Sequence, residues 1–99
     1  MQFMVITERF SNRFDESEFA AVIPDETQAV RRLYSNGVVR AIWLRGDTRG
    51  ACFILEAESL SVAESIVATF PLTQKEMSEF RVIPLQPYGG FGPDQPARP

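Results

Sequence analysis

The period of the apolar positions changes several times along the chain, and each change marks an element. Phe3 to Glu8, FMVITE, is rich in β-forming residues and predicts a first strand. From Asp15 to Asn36 the spacing becomes helical: Phe19, Val22, Ile23, Val30 and Leu33 fall on one stripe at steps of three and four. Pro24 interrupts that stripe. Either the helix kinks there, or a first piece ends and a second begins with proline in its first turn. Gly37 after Asn36 is a C-terminal stop.

Val38 to Arg45 predicts a second strand, GDTRG a turn, and Ala51 to Ala57 the returning strand. A second helix runs from about Ser59 or Ser61 to Phe70, with Ala63, Ile66, Val67 and Phe70 as its apolar stripe. Ser61 with Glu64 has the spacing of a capping box, and Ser59 is the alternative cap. Pro71 ends the helix, and LTQKEM is a loop or a single helical turn. Phe80 to Leu85 is the last strand, with Pro84 marking a strand end or an unpaired edge.

The order β-α-β-β-α-β predicts an α+β, ferredoxin-like domain over residues 1–87: one four-stranded antiparallel sheet with two helices on one face. Residues 88–99 are a proline- and glycine-rich tail, expected to be flexible. A sheet covered on one side normally shows clean alternation of apolar and polar residues. Here simple alternation sends Val38, Ile42 and Leu44 one way and Val39, Ala41 and Trp43 the other, so both faces are apolar. The chain is too short to cover the second face. A second copy in a C2 dimer, sheet against sheet, is the expected cover.

Composition narrows the chemistry. The chain has 99 residues, no histidine, one cysteine and a net charge of -3. Without histidine, Ser-His-Asp and Cys-His nucleophile systems and histidine acid–base chemistry are excluded. No metal site and no cofactor are expected. The charge and the scattered arginines give no reason to expect nucleic acid. No apolar run approaches membrane-spanning length, and no signal peptide is recognisable, so a cytoplasmic protein is expected.

Read as an ordered set, several of these residues resemble the muconolactone delta-isomerase family of dimeric α+β barrels. The set is Asp25–Glu26, Leu33 with Gly37, Arg40–Trp43 (RAIW), Ser59, Phe70–Leu72 (FPL) and Pro87. The chain departs from the family in having Ala41 after Arg40, a charged turn RGDTRG, and no histidine. The resemblance implies a cofactor-free proton-transfer isomerase acting on a small unsaturated lactone or organic acid, assembled as a homodimer or a larger ring of dimers.

Glu26 and Arg40 are the candidate catalytic residues. Glu26 lies on the apolar stripe, where a dry pocket would raise its pKa and suit it to moving a proton. Its plainer reading is a first-turn acid after Pro24. Arg40 lies mid-strand between apolar residues, where a buried guanidinium needs an anion: a substrate carboxylate or enolate, or a glutamate such as Glu56 across a dimer. Trp43, Tyr34 and Tyr88 are candidate substrate-binding residues, against readings as interface filling, amphipathic packing and a free tail. Tyr88 with Phe91 would fold over a pocket as a lid. Cys52 reads as an inert core residue. The competing functions are a cofactor-free oxygenase on the same barrel and a non-catalytic dimeric small-ligand-binding or assembly protein.

Overall fold

A capping box opens the first helix. In the computed structural model, which describes residues 1–96, the Asp15 carboxylate accepts from the Glu18 N–H at 2.9 Å, and the Glu18 carboxylate accepts from the Asp15 N–H at 3.1 Å. Helix α1 then runs unbroken over Glu16–Ser35, between strands β1 (Gln2–Arg9) and β2 (Val39–Leu44). Pro24 lies inside it and splits nothing. Its missing N–H would have met the Ala20 carbonyl, and both residues are exposed, so water can take that carbonyl. Gly37 takes φ of +76°, the left-handed turn that ends the helix.

Strand β3 covers Ala51–Glu56, helix α2 Leu60–Ala68, a single-turn helix α3 Pro71–Gln74, and strand β4 Ser78–Pro84. Ser59, not Ser61, caps α2: its hydroxyl accepts from the Val62 N–H at 3.2 Å. Pro71 does not end that helix but begins α3. The sheet order is β2-β3-β1-β4, all antiparallel. This is the ferredoxin-like arrangement expected from the sequence, with Pro84 closing an edge strand.

The core lies between the sheet and the helices. Phe3, Val5, Val39, Phe53 and Leu55 from the sheet pack with Ala63, Val67 and Phe70. The Phe53 and Phe70 rings stack with centroids 5.6 Å apart. A second cluster, Phe19, Val22, Leu72 and Met77, ties α1 to α3 and the start of β4.

One feature of β2 overturns simple alternation. Val39 pairs with Leu55, but Ala41 pairs with the next residue, Ile54, so Arg40 is an extra residue in a bulge. Side chains before and after the bulge change frame. Val39, Ile42 and Leu44 share the helix-facing side through their partners Leu55, Phe53 and Ala51. Ala41 and Trp43 share the other side. The middle of that outer side is apolar: Ala41, Ile54, Met4 and Ile83 form one row, and Trp43, Cys52 and Ile6 another that ends on Arg81, with Gln2, Glu56, Glu8 and Glu79 flanking them. Cys52, expected in the core, thus lies on the outer face and is partly exposed. Among the described residues no part of the chain covers this face.

The tail leaves the sheet beside the start of β1, where the Leu85 N–H donates to the Gln2 carbonyl at 3.0 Å. Residues 86–96 are exposed throughout. The last part of the predicted tail, 97–99, lies outside the described residues.

Candidate functional site

A cavity opens in the helix-facing layer at the end of β1, between α1 and the β2–β3 hairpin. Its volume is about 400 Å³. Ile23, Val30, Ile42, Phe53, Phe70 and Leu72 give it apolar walls, and Thr7, Arg9, Glu26, Thr27 and Arg31 supply polar groups. The size and the few converging polar groups are those of a small-molecule site.

Glu26 is the acid of this cavity. Helical spacing carries it inward, three residues after Ile23 and four before Val30, as its place on the stripe predicts. It is half-buried, and its Oε1 accepts from the Leu72 N–H at 3.0 Å. Burial pushes its pKa above the ordinary carboxylate value, offset in part by the Leu72 N–H and by the positive field of Arg9. One oxygen is thereby fixed by the backbone. Among the described residues the other accepts no side-chain or backbone hydrogen bond.

The arginines that line this cavity are Arg9 and Arg31, not Arg40. Phe3, Val5, Thr7 and Arg9 alternate onto the helix-facing side of β1, so the last of them reaches the cavity's far end. Its guanidinium carbon lies 5.3 Å from the Phe19 ring centroid. Among the described residues no carboxylate is within ion-pair distance of Arg9 or Arg31. Arg40 sits exposed on the bulge of an edge strand and does not line the cavity. Within one chain Arg40 is therefore not buried, because the bulge turns it out of the sheet's regular frame.

Trp43 reaches the cavity's rim, although its pairing with Cys52 directs it to the outer face; it is 55% exposed. Tyr34 is exposed and lines a neighbouring groove with Val39 and Ala41 instead. Tyr88 lies in the tail, its ring 6.5 Å from that of Phe91, and lines none of these cavities. The structure therefore brings Glu26 and Trp43 to one cavity and leaves Arg40, Tyr34 and Tyr88 outside it. The sequence reading missed Arg9, Arg31, Thr7 and the Leu72 N–H. Strand parity from Phe3 and helical spacing from Ile23 and Thr27 carried the signal for the first three.

The floor of the cavity is a close approach of two strands. The Thr7 hydroxyl accepts from the Ala51 N–H at 3.0 Å, and the Arg9 N–H donates to the Arg49 carbonyl at 2.9 Å. Gly50 passes so near the Thr7 carbonyl that a Cβ there would overlap it. The hairpin itself is held by Arg45, whose guanidinium donates twice to Asp47, at 2.7 and 3.0 Å, and once to the Thr7 carbonyl at 3.2 Å. Among the described residues no group of three histidine, cysteine or acidic side chains is placed to hold a metal ion. Nor is any described helix long and apolar enough to cross a membrane.

No protein-family model matches the chain, and no curated protein sequence does. Solved structures do match. The crystal structure of a muconolactone isomerase superposes with a TM-score of 0.76 at 17% identity, covering 97% of this chain and all of that one. The chain has the muconolactone isomerase fold. A 5-chloro-2-hydroxyhydroquinone dehydrochlorinase from Burkholderia phenoliruptrix, in complex with 2,5-dihydroxybenzoquinone, matches with a TM-score of 0.63 at 18% identity, over 87% of this chain and 94% of that one. At these identities the likeness concerns the fold.

Proposed function

We propose that the chain is a cofactor-free proton-transfer isomerase of a small unsaturated lactone or organic acid, working in the cytoplasm as a dimer. The observation that carries this reading is Glu26: a half-buried carboxylate, raised in pKa, on the wall of an otherwise apolar cavity. A carboxylate tuned upward towards neutrality is suited to taking and returning a proton.

In this reading Glu26 is held by the Leu72 N–H through one oxygen and uses the other. The carboxylate removes a proton from the carbon flanking the substrate's double bond, leaving an anion spread over the conjugated system and its carbonyl. Arg9, which no carboxylate neutralises among the described residues, steadies that anion. The Glu26 carboxylic acid then returns the proton to the far carbon, and the double bond moves. Proton and electron pair are conserved, and no other reactant enters. Arg40 takes no part in this scheme within one chain.

The dimer is proposed on the outer sheet face, whose rows Ala41–Ile54–Met4–Ile83 and Trp43–Cys52–Ile6 would otherwise remain in water. The fold shared with muconolactone isomerase supports the substrate class.

The test is ultraviolet-monitored turnover of muconolactone, with Glu26→Gln beside the parent. Turnover that falls about a hundredfold or more in the variant is the expected result. A folded parent protein with no turnover of muconolactone or related unsaturated lactones overturns the isomerase reading. Saturable binding without turnover would assign a small-acid-binding protein instead.

A further inference from the structure

Two arginines line the cavity, and only Arg9 has a part in the reaction proposed above. Arg9 is half-buried, with its guanidinium carbon 5.3 Å from the Phe19 ring centroid, and its positive field reaches Glu26. Arg31 is different. It is exposed at the mouth, bordering the cavity on one side and the groove of Tyr34 on the other. It is not among the groups that move the Glu26 pKa. The acid therefore does not account for its presence.

An exposed arginine without a partner is ordinary on open surface, but this one lines a cavity. The hairpin beside it is neutralised: Arg45 pairs with Glu8 and Asp47, and Arg49 with Glu16. Among the described residues no carboxylate lies within ion-pair distance of Arg31. Its helical neighbours offer none either. The positions three and four residues away are Thr27, Gln28, Tyr34 and Ser35. The cavity wall thus carries two guanidinium groups against one carboxylate, a positive balance in a chain of net charge -3. Positive charge set in apolar walls draws anions from solution.

The order of these groups along α1 separates their roles. At the helical rise, Glu26 lies about 10 Å beyond Phe19 along the axis, and Arg31 about 7.5 Å beyond Glu26. Arg9 packs on Phe19, so the two cations flank the acid from opposite sides. Long side chains on a helix lean towards its N-terminus, and Arg31 reaches back over Thr27, one turn earlier. The Thr27 hydroxyl lines the cavity too. A guanidinium with a hydroxyl beside it is a donor set for a carboxylate.

We infer that Arg31, with the Thr27 hydroxyl, holds a free carboxylate of the ligand at the cavity mouth and thereby selects acids over their esters. The ligand then carries two oxygen functions. Its carboxylate meets Arg31, and across Glu26 its carbonyl meets Arg9, where the anion develops. One arginine sets affinity and the other sets rate. This inference rests on the reading of the cavity as a proton-transfer site and adds to it the residue that chooses among ligands.

The test is calorimetric titration with muconolactone, a carboxylic acid, and with its methyl ester. Both are titrated into Glu26→Gln, which lacks the acid that moves the proton, and into Glu26→Gln combined with Arg31→Met. Glu26→Gln should bind the acid about tenfold or more tighter than the ester, as a charge-assisted hydrogen bond requires. Arg31→Met should weaken binding of the acid alone and abolish that preference. Acid and ester bound alike, or a preference that survives Arg31→Met, overturns the anchor while turnover by the parent protein stands. A preference that Arg31→Met abolishes, beside a parent with no turnover, overturns the isomerase reading and keeps the anchor. Failure of both probes to bind overturns the anchor, and the isomerase reading with it when the parent shows no turnover.

Discussion

The Glu26 carboxylate and the Leu72 N–H, 46 residues apart in sequence, meet at 3.0 Å. The bond joins the middle of α1 to the first turn of α3 and fixes the one acid that faces the cavity. It supplies only part of what a charged carboxylate loses on leaving water, so desolvation dominates and the pKa rises.

The sign of that shift sets a pH dependence. The folded protein holds the Glu26 proton more tightly than the unfolded chain does. The resulting stability is complete below the unfolded carboxylate pKa and is lost as pH rises through the raised folded value. Glu26→Gln keeps an oxygen for the Leu72 N–H and never ionises. The variant should melt higher than the parent at pH 7, and the gap should close as pH falls below 4. Melting curves across pH check this, and a gap independent of pH would contradict it.

Arg9 pulls the same acid the other way. Arg9→Met keeps an unbranched apolar stem and removes the charge, so the Glu26 pKa should rise further. Carbon-detected NMR titration of the Glu26 carboxyl reads the shift directly. An unchanged or lower value would show that Arg9 does not act on this site.

Gly50 is required by space. A methyl group there meets the Thr7 carbonyl, which belongs to backbone and cannot swing away. Gly50→Ala should cost about 2 kcal/mol in urea unfolding, as overpacking does. Because the clash lies at the cavity floor, ligand binding should weaken with it. A variant as stable as the parent would mean that the strands separate more easily than their hydrogen bonds suggest.

Asp15→Ala removes the cap of α1 and half of its capping box, and about 1 kcal/mol of stability should go with it. The cavity lies two turns or more beyond this end of the helix. Ligand affinity measured well below the melting temperature should therefore be unchanged.

Ile54→Lys sets a charge in the middle of the outer apolar face. Sedimentation should show a monomer with native circular dichroism. A variant that still sediments as a dimer would place the contact elsewhere.

Much of this could be read from the residues themselves. The order and type of the elements followed from period, and Glu26 followed from its place on the apolar stripe of α1. Arg9 was equally open to strand parity from Phe3, but it stands in the polar run that ends β1 and draws no attention as a buried charge. The frame of β2 was hidden for a different reason. With apolar residues at 38, 39, 41, 42, 43 and 44, either register is acceptable to the pattern, and the bulge that selects one is set by pairing with β3. The Leu72 N–H carries no residue signature at all, since every non-proline residue has one.

The extra residue at position 40 also separates two histories that the chain can follow. Positions 42 and 44 face the cavity, 41 pairs on the outer face with Ile54, and 43, paired with Cys52, also reaches the cavity's rim. A change of ligand would be written at 42 and 44 together with 23 and 30. In the proposed dimer, a change in how copies recognise one another would be written at 41 together with 54 and 6. On the proposed reading, one short strand thus carries two inheritances, a small molecule's fit and a second copy's, on alternate letters of the same six-residue word, with position 43 read in both.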